Sequence, residues 1–402
     1  MTATSDHRTP ALAIAGLDET LLPFGRSTML PAEAYTSADV LAWELRHLFA
    51  GTYTCVGRED ELRADGAERQ HTQRALMVGD VHVLLTWPGD GGGAVHAFAN
   101  TCRHRAHELV EEGAASSKQS IVCPYHAWTY DLSGALRSAP GYREVTGFDP
   151  EHYGLVALPV HRWHGWLFVH AASPLDASGV LPFESFIGDL ERFVAPYDPA
   201  GLVLGDRHTY VVEANWKVIT ENYHECYHCP LIHPELCQVT PPSSGVNYDL
   251  PGAWLGGTME LRDGMETMSL SGRSAGRMIA AAPPQTVLYA GVLPNLLISA
   301  HPDYVMTHRM LPLAPGRTWV ECSWYLPDTG SEPPIDASYA VEFWDITNRQ
   351  DWRACESVQR GLASPHFRAG PFSPSEDAVH MFATTIARAY RGEPVHAPIG
   401  TH

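Results

Sequence analysis

The sequence lacks any long apolar run: no stretch approaches the roughly 18 consecutive apolar residues of a membrane-spanning helix. It is also short of positive charge, with 27 Lys and Arg against 46 Asp and Glu, a formal net charge of −19. Such a surface repels a phosphate backbone and argues against a nucleic-acid partner. It suits solubility and admits a cationic substrate or a basic redox partner. A secretory leader is missing too, since MTATSDHRTPALAIAG has no charged segment followed by an apolar one. The eight cysteines are scattered over 402 residues, which speaks against a disulfide framework and for a reducing compartment where some cysteines hold metal. These absences lead to the expectation of a soluble, cytoplasmic protein. Repeats, heptads and low-complexity tracts are absent as well. So is a nucleotide loop: Gly89-Asp-Gly-Gly-Gly93 lacks dinucleotide spacing, and no helical pattern follows it.

The length suits two or three domains. Residues 1–49 read as an N-terminal arm and helix, with Ser37 as the cap and Val40, Leu41, Leu45 and Leu48 along one side. The chain then turns β-rich. Residues 81–87 and 94–100 flank the glycines as a hairpin, and short strand-like runs continue to 166–170. Residues 182–197 read as one helix with Phe183, Phe186, Ile187 and Leu190 on its apolar side, and 209–214 as a strand. The segment 240–285, rich in Pro, Gly, Ser and Met, reads as an irregular lid or pocket wall. Strands resume across 286–300, 304–313 and 317–326, and helical patterns cover 337–362 and 375–390. A β-rich half followed by mixed strands and helices predicts an α+β fold.

Two groups of residues carry metal chemistry. The first is Cys102-x-His104, a gap of 18 residues, then Cys123-x-x-His126. Two thiolates and two imidazoles suit a closed tetrahedral zinc site or a Rieske [2Fe–2S] cluster, where two Cys hold one iron and two His the other. Each element supplies one Cys and one His, and that mixing favours two loops gripping a two-iron cluster, with Pro124, Tyr125 and Trp128 as its shield. The second group lies in residues 215–234, NWKVITENYHECYHCPLIHP. Glu225 and His228 are three apart and would share a helix face. His233 is followed by Pro234, which marks a helix end and lets the imidazole turn back. Two imidazoles beside a carboxylate are what a non-haem Fe(II) site with open positions uses. Among the acids of the long C-terminal helical pattern, the residues alone do not separate Glu342, Asp345, Asp351 and Glu356. Cys226-x-x-Cys229 reads as a pair of packing residues rather than a redox couple, and His224 as a surface or outer-sphere group.

The texts NTCRHRAHELV, VCPYHAWTYDLSGAL, NWKVITENYHECYHCPLIHPEL and FWDITNRQDW resemble those of the catalytic α subunits of Rieske non-haem iron oxygenases, over nearly the whole chain. That family usually has glycine where Ala106 stands and aspartate where Glu225 stands. The resemblance implies an antiparallel β Rieske domain at 50–170 and a helix-grip-like catalytic domain with a curved antiparallel sheet at 171–402. It implies that Cys102, His104, Cys123 and His126 hold the [2Fe–2S] cluster, that His228, His233 and Asp351 hold a mononuclear Fe(II), and that Glu225 bridges His228 to a cluster histidine of the next subunit in a homotrimer. A glutamate at 225 points to the branch acting on quaternary ammonium compounds. The implied partners are O2, a small organic substrate and a separate NAD(P)H-dependent reductase, directly or through a ferredoxin, since no flavin or nicotinamide motif is present. The implied reaction is hydroxylation or N-demethylation by a mono- or dioxygenase. Aromatic-ring hydroxylation is the alternative, and an electron carrier without oxygenase chemistry a third reading.

Overall fold

The computed structural model describes residues 11–65, 69–70, 72–88, 93–175, 179–328, 330 and 336–395. The turn expected at Gly89–Gly93 therefore lies mostly outside the described residues. The chain forms two compact units: residues 42–180, and residues 1–41 together with 181–402. No helix among the described residues is long and apolar enough to cross a membrane.

The unit of residues 42–180 is antiparallel β. Its five-stranded sheet runs in the order Ala157–Leu158, His96–Ala99, Val81–Thr86, Gln73–Val78, Ala115–Ser116. The alternation VHVLLT explains the central strand Val81–Thr86. Side chains of a strand point alternately to its two faces. Val83 and Leu85 enter a core with Trp87, Leu158 and Leu167. Leu84, between them, enters a second core with Phe98, Ile121, Trp128 and Tyr130, which also encloses Cys102 and Cys123. The expected hairpin of this strand with 96–99 is present, with Val83 opposite Ala99 and Thr86 opposite His96.

The loops after His96–Ala99 and Ser120–Val122 close in the same way. The Ala106 N–H donates to the Cys102 carbonyl, and the Ala127 N–H to the Cys123 carbonyl, both at 3.0 Å. The Cys102 N–H returns to the His107 carbonyl at 2.9 Å and the Cys123 N–H to Trp128 at 2.8 Å. Both alanines sit at φ 57°, in the left-handed region. A Cβ there crowds the following carbonyl by roughly 1–2 kcal/mol, which glycine avoids. Ala106→Gly is expected to raise unfolding free energy by about 1 kcal/mol net of the added freedom of the unfolded chain. The midpoint of denaturant-induced bleaching of the cluster chromophore measures this, and an unchanged or lowered midpoint counts against the strain argument.

The other unit is built on an antiparallel sheet of seven strands, in the order Leu202–Val212, Arg317–Pro327, Val305–Ala314, Leu296–Ala300, Thr286–Val292, Trp254–Glu260, Val246–Asn247. The first and last of these are edges, so the sheet stays open. The helix Ser338–Leu362 lies against it through Trp344, Asn348 and Trp352, spaced four apart as one helical stripe: Trp344 donates to the Tyr304 hydroxyl, Asn348 meets His308 and Cys322, and Trp352 lies edge-on to His308. This α+β arrangement, sheet held by helix, is the expected fold class. Three local readings are corrected. Residues 182–197 do not form one helix: the turns Phe183–Ile187 and Glu191–Val194 are separated at Gly188, φ 55°, where a Cβ would stand 2.1 Å from the Pro251 carbonyl. The stretch 286–300 is two strands joined by a turn at Pro294. The expected irregular segment contains the strands Val246–Asn247 and Trp254–Glu260, and its long run without an element is 261–285.

Candidate metal centres

In the β unit the two matching loops bring Cys102, His104, Cys123 and His126 together. The sulfurs are buried, and the Tyr130 hydroxyl lies 3.4 Å from the Cys102 Sγ. Burial pushes the Cys123 thiol up, and the neighbouring Cys102 adds to the shift against the N–H groups of Tyr125 and His126. The rings of His104 and His126 stand 4.7 Å apart at 73°. His104 Nδ1 is buried with no hydrogen-bond partner. Two thiols in one apolar core and an orphaned ring nitrogen are a donor set in need of a metal, and a cluster with a Cys side and a His side fits it. Trp128 stacks on His104 at 4.9 Å and 6°. Tyr125, 52% exposed, covers the His126 ring at 3.8 Å, and Pro124 is exposed beside it.

In the other unit the helix Trp216–Tyr223 starts where the Asn215 side chain accepts from the Lys217 N–H at 2.9 Å. It ends before Glu225, so the expected shared helix face is wrong. Pro230 sits in the first turn of Cys229–Ile232, and Pro234 opens Pro234–Val239. Proline begins turns readily but cannot continue one, which cuts the segment into short pieces. His228 and His233 bracket the first piece, and both rings turn to one point. His228 Nε2 and His233 Nε2 are 3.1 Å apart, and Asp351 Oδ1 lies 2.9 Å from the second and 3.4 Å from the first. Of the four acids left open, Asp351 stands here. Asp345 accepts from the Tyr210 hydroxyl and pairs with Arg349, and Glu356 accepts from the Glu213 N–H.

The outer nitrogens of both imidazoles are occupied. Glu225 Oε1 holds His228 Nδ1, and Gln350 Oε1 holds His233 Nδ1 at 2.7 Å. Each ring then donates from Nδ1 and turns the Nε2 lone pair inward. Glu225 Oε2 accepts from the N–H groups of Tyr227 and His228, so a turn rather than a helix positions this carboxylate. Burial works against charge on His228, but Asp351 and Glu225 outweigh it and carry its pKa to about 9. Burial likewise opposes the Asp351 carboxylate, yet the two histidines hold it below the usual range. The centre calls for positive charge, and two nitrogens with one carboxylate on one side match an iron site with open positions. Gln350 escaped sequence reasoning; its only signal is its place beside Asp351.

A cavity of about 740 Å³ opens onto this centre, walled by Phe24, Tyr223, His224, Tyr289 and Trp344 among others. That volume suits a small organic ligand. His224, expected at the surface or outer sphere, is 6% exposed, and its Nε2 has no partner. Burial lowers its pKa to about 3, so the ring is neutral. Gly291 makes room for it: a Cβ there would lie 2.4 Å from His224 Nε2. Cys226 and Cys229, expected as packing residues, are joined as a disulfide, because the turn brings their Cα atoms to 4.9 Å.

Residues 52–149 match the Rieske [2Fe-2S] domain, and residues 200–392 the catalytic domain of the ring hydroxylating alpha subunit. The chain is 30% identical over 376 residues to the glycine betaine monooxygenase oxygenase subunit of Chromohalobacter salexigens, covering 86% of this chain and 81% of that protein. It is 26% identical to the chloroplastic choline monooxygenase of Spinacia oleracea, over 88% of this chain and 76% of that one. In fold it is similar to a quaternary ammonium Rieske monooxygenase, with a TM-score of 0.74 at 24% identity over 96% of this chain and 100% of that one. It is also similar to naphthalene 1,2-dioxygenase from Rhodococcus sp., with a TM-score of 0.66 at 15% identity over 90% and 94%. The chain belongs to the Rieske-type ring-hydroxylating oxygenases, an oxidoreductase family whose cofactors are a Rieske [2Fe–2S] cluster and a mononuclear iron.

Proposed function

We propose that this chain is the oxygenase component of a multicomponent system that hydroxylates or N-demethylates a small quaternary ammonium compound with O2. The observation that carries the reading is the aromatic-walled cavity ending on the His228, His233 and Asp351 centre. Aromatic faces attract a cation whose charge is spread over alkyl groups, and the relatives named above act on betaine or choline. Cys102, His104, Cys123 and His126 hold the cluster, and His228, His233 and Asp351 the iron. The two metals, when bound, supply electron storage and the activation of O2.

The residues of this chain do the rest. Gln350 and Glu225 fix the two ring orientations, and the buried, neutral His224 adds no competing charge to the cavity. A separate NAD(P)H-dependent reductase, directly or through a ferredoxin, supplies electrons in the cytoplasm. Glu225 carries the path to the cluster of the next subunit in a homotrimer. Its turn sets Tyr227 and Leu231 in solvent at 66% and 90% exposure, which suits a seat for a neighbouring subunit. Aromatic-ring hydroxylation is the second reading, favoured by the fold shared with naphthalene 1,2-dioxygenase.

Uptake of O2 by the reduced holoenzyme tests the choice. Quaternary ammonium compounds are expected to stimulate it and to yield an aldehyde product. Stimulation by arenes alone would replace the first reading with the second.

A further inference from the structure

Among the described residues lining the cavity there is no lysine and no arginine. Its acids are Glu225, Asp351 and Asp377. The first two belong to the metal centre, where a bound divalent ion would offset their charge. Asp377 does not. It opens the helix Asp377–Tyr390, and its Oδ1 accepts from Asn247 Nδ2 at 2.7 Å. His380, one turn further along, donates from Nε2 to the Leu22 carbonyl at 3.2 Å, and burial holds its ring toward the neutral form. Arg388, on the same helix, acts on Asp249 and lines no part of the cavity. Asp377 is thus a wall carboxylate offset by no cation of the lining.

We propose that the cavity selects a small quaternary ammonium cation whose other end is neutral, such as an alcohol, and discriminates against zwitterions that end in a carboxylate. This rests on the quaternary ammonium reading above. A carboxylate entering the cavity leaves water without meeting a lysine or arginine among the described lining residues. His224 is buried and adds no charge, and Ser243, Thr258 and Ser375 are neutral hydroxyls that match an alcohol equally well. A cation meets the faces of Phe24, Tyr289 and Trp344 and the charge of Asp377.

The test is anaerobic calorimetry on the holoenzyme, which needs no turnover. The probes are choline, glycine betaine and 3,3-dimethylbutan-1-ol, the uncharged carbon isostere of choline. Choline is expected to bind about tenfold or more tightly than either of the others. In Asp377→Asn the choline Kd is expected to rise by roughly three- to tenfold while that of the isostere stays unchanged. Glycine betaine binding as tightly as choline overturns the inference and leaves the quaternary ammonium reading standing. The isostere binding as tightly as both charged probes overturns that reading too. A choline Kd that does not respond to Asp377→Asn removes Asp377 as the counter-charge, and the wild-type ranking tests the selection even if that variant fails to fold.

Discussion

Asp351→Ala is expected to abolish oxygenation while leaving the Rieske signal in place. The side chain closes the centre: its Oδ1 stands 2.9 Å and 3.4 Å from the two imidazole nitrogens. Without it the site offers two neutral nitrogens and no charge. Loss of a partner that merely orients a ligand lowers metal affinity by about 10–100-fold, and loss of the carboxylate itself is expected to exceed that. Iron analysis should find the mononuclear iron gone, with the cluster iron and sulfide unchanged, since Cys102, His104, Cys123 and His126 lie in the other unit. Full iron occupancy in Asp351→Ala would remove Asp351 from the centre. An electron carrier would keep its reducible cluster and its function in this variant, so the same protein also tests that third reading.

Glu225→Gln is expected to lower turnover by about 100-fold or more in two separable ways. The carboxylate holds His228 Nδ1 with one oxygen and two backbone N–H groups with the other. Glutamine keeps the length but loses the charge, so the ring is less firmly aimed and iron binds about 10–100-fold more weakly. Saturating Fe(II) should restore occupancy. Turnover should nevertheless stay low, because the proposed path to a neighbouring cluster runs through this carboxylate. Stopped-flow reoxidation of the reduced cluster separates the two effects. Complete recovery of turnover with Fe(II) would reduce Glu225 to a positioning residue for His228.

Much of the fold was legible in the sequence because its signals are local. The stripe along 338–362, the alternation in 81–86 and the strands of 305–314 and 317–327 each repeat with the period of their element. The failures have tertiary causes. The helix expected over 182–197 breaks because Gly188 must pass close to the Pro251 carbonyl, some sixty residues later in the chain. Trp254–Glu260 was hidden because Gly256 and Gly257 weaken a strand pattern. Those glycines are needed where a Cβ would meet the carbonyls of Tyr289 and Val246 at 2.1 and 1.7 Å. Pro234 signalled a break but not that short turns would form on both sides of His233, and so the helix face drawn for Glu225 and His228 was misplaced.

By itself the sequence determined the chemistry of both centres, since thiol, imidazole and carboxylate are set by residue type and their grouping is local. It also determined the periodic elements that carry them. Tertiary structure decided which acid of the long helix reaches the histidines. Asp351 and His233 are far apart in the chain, and only packing of the helix on the sheet brings them within 2.9 Å. It likewise decided that Gln350 aims one ring, that His224 is buried, and that among the described residues no lysine or arginine lines the cavity. These are properties of space enclosed by distant segments, and no spacing along the chain encodes them.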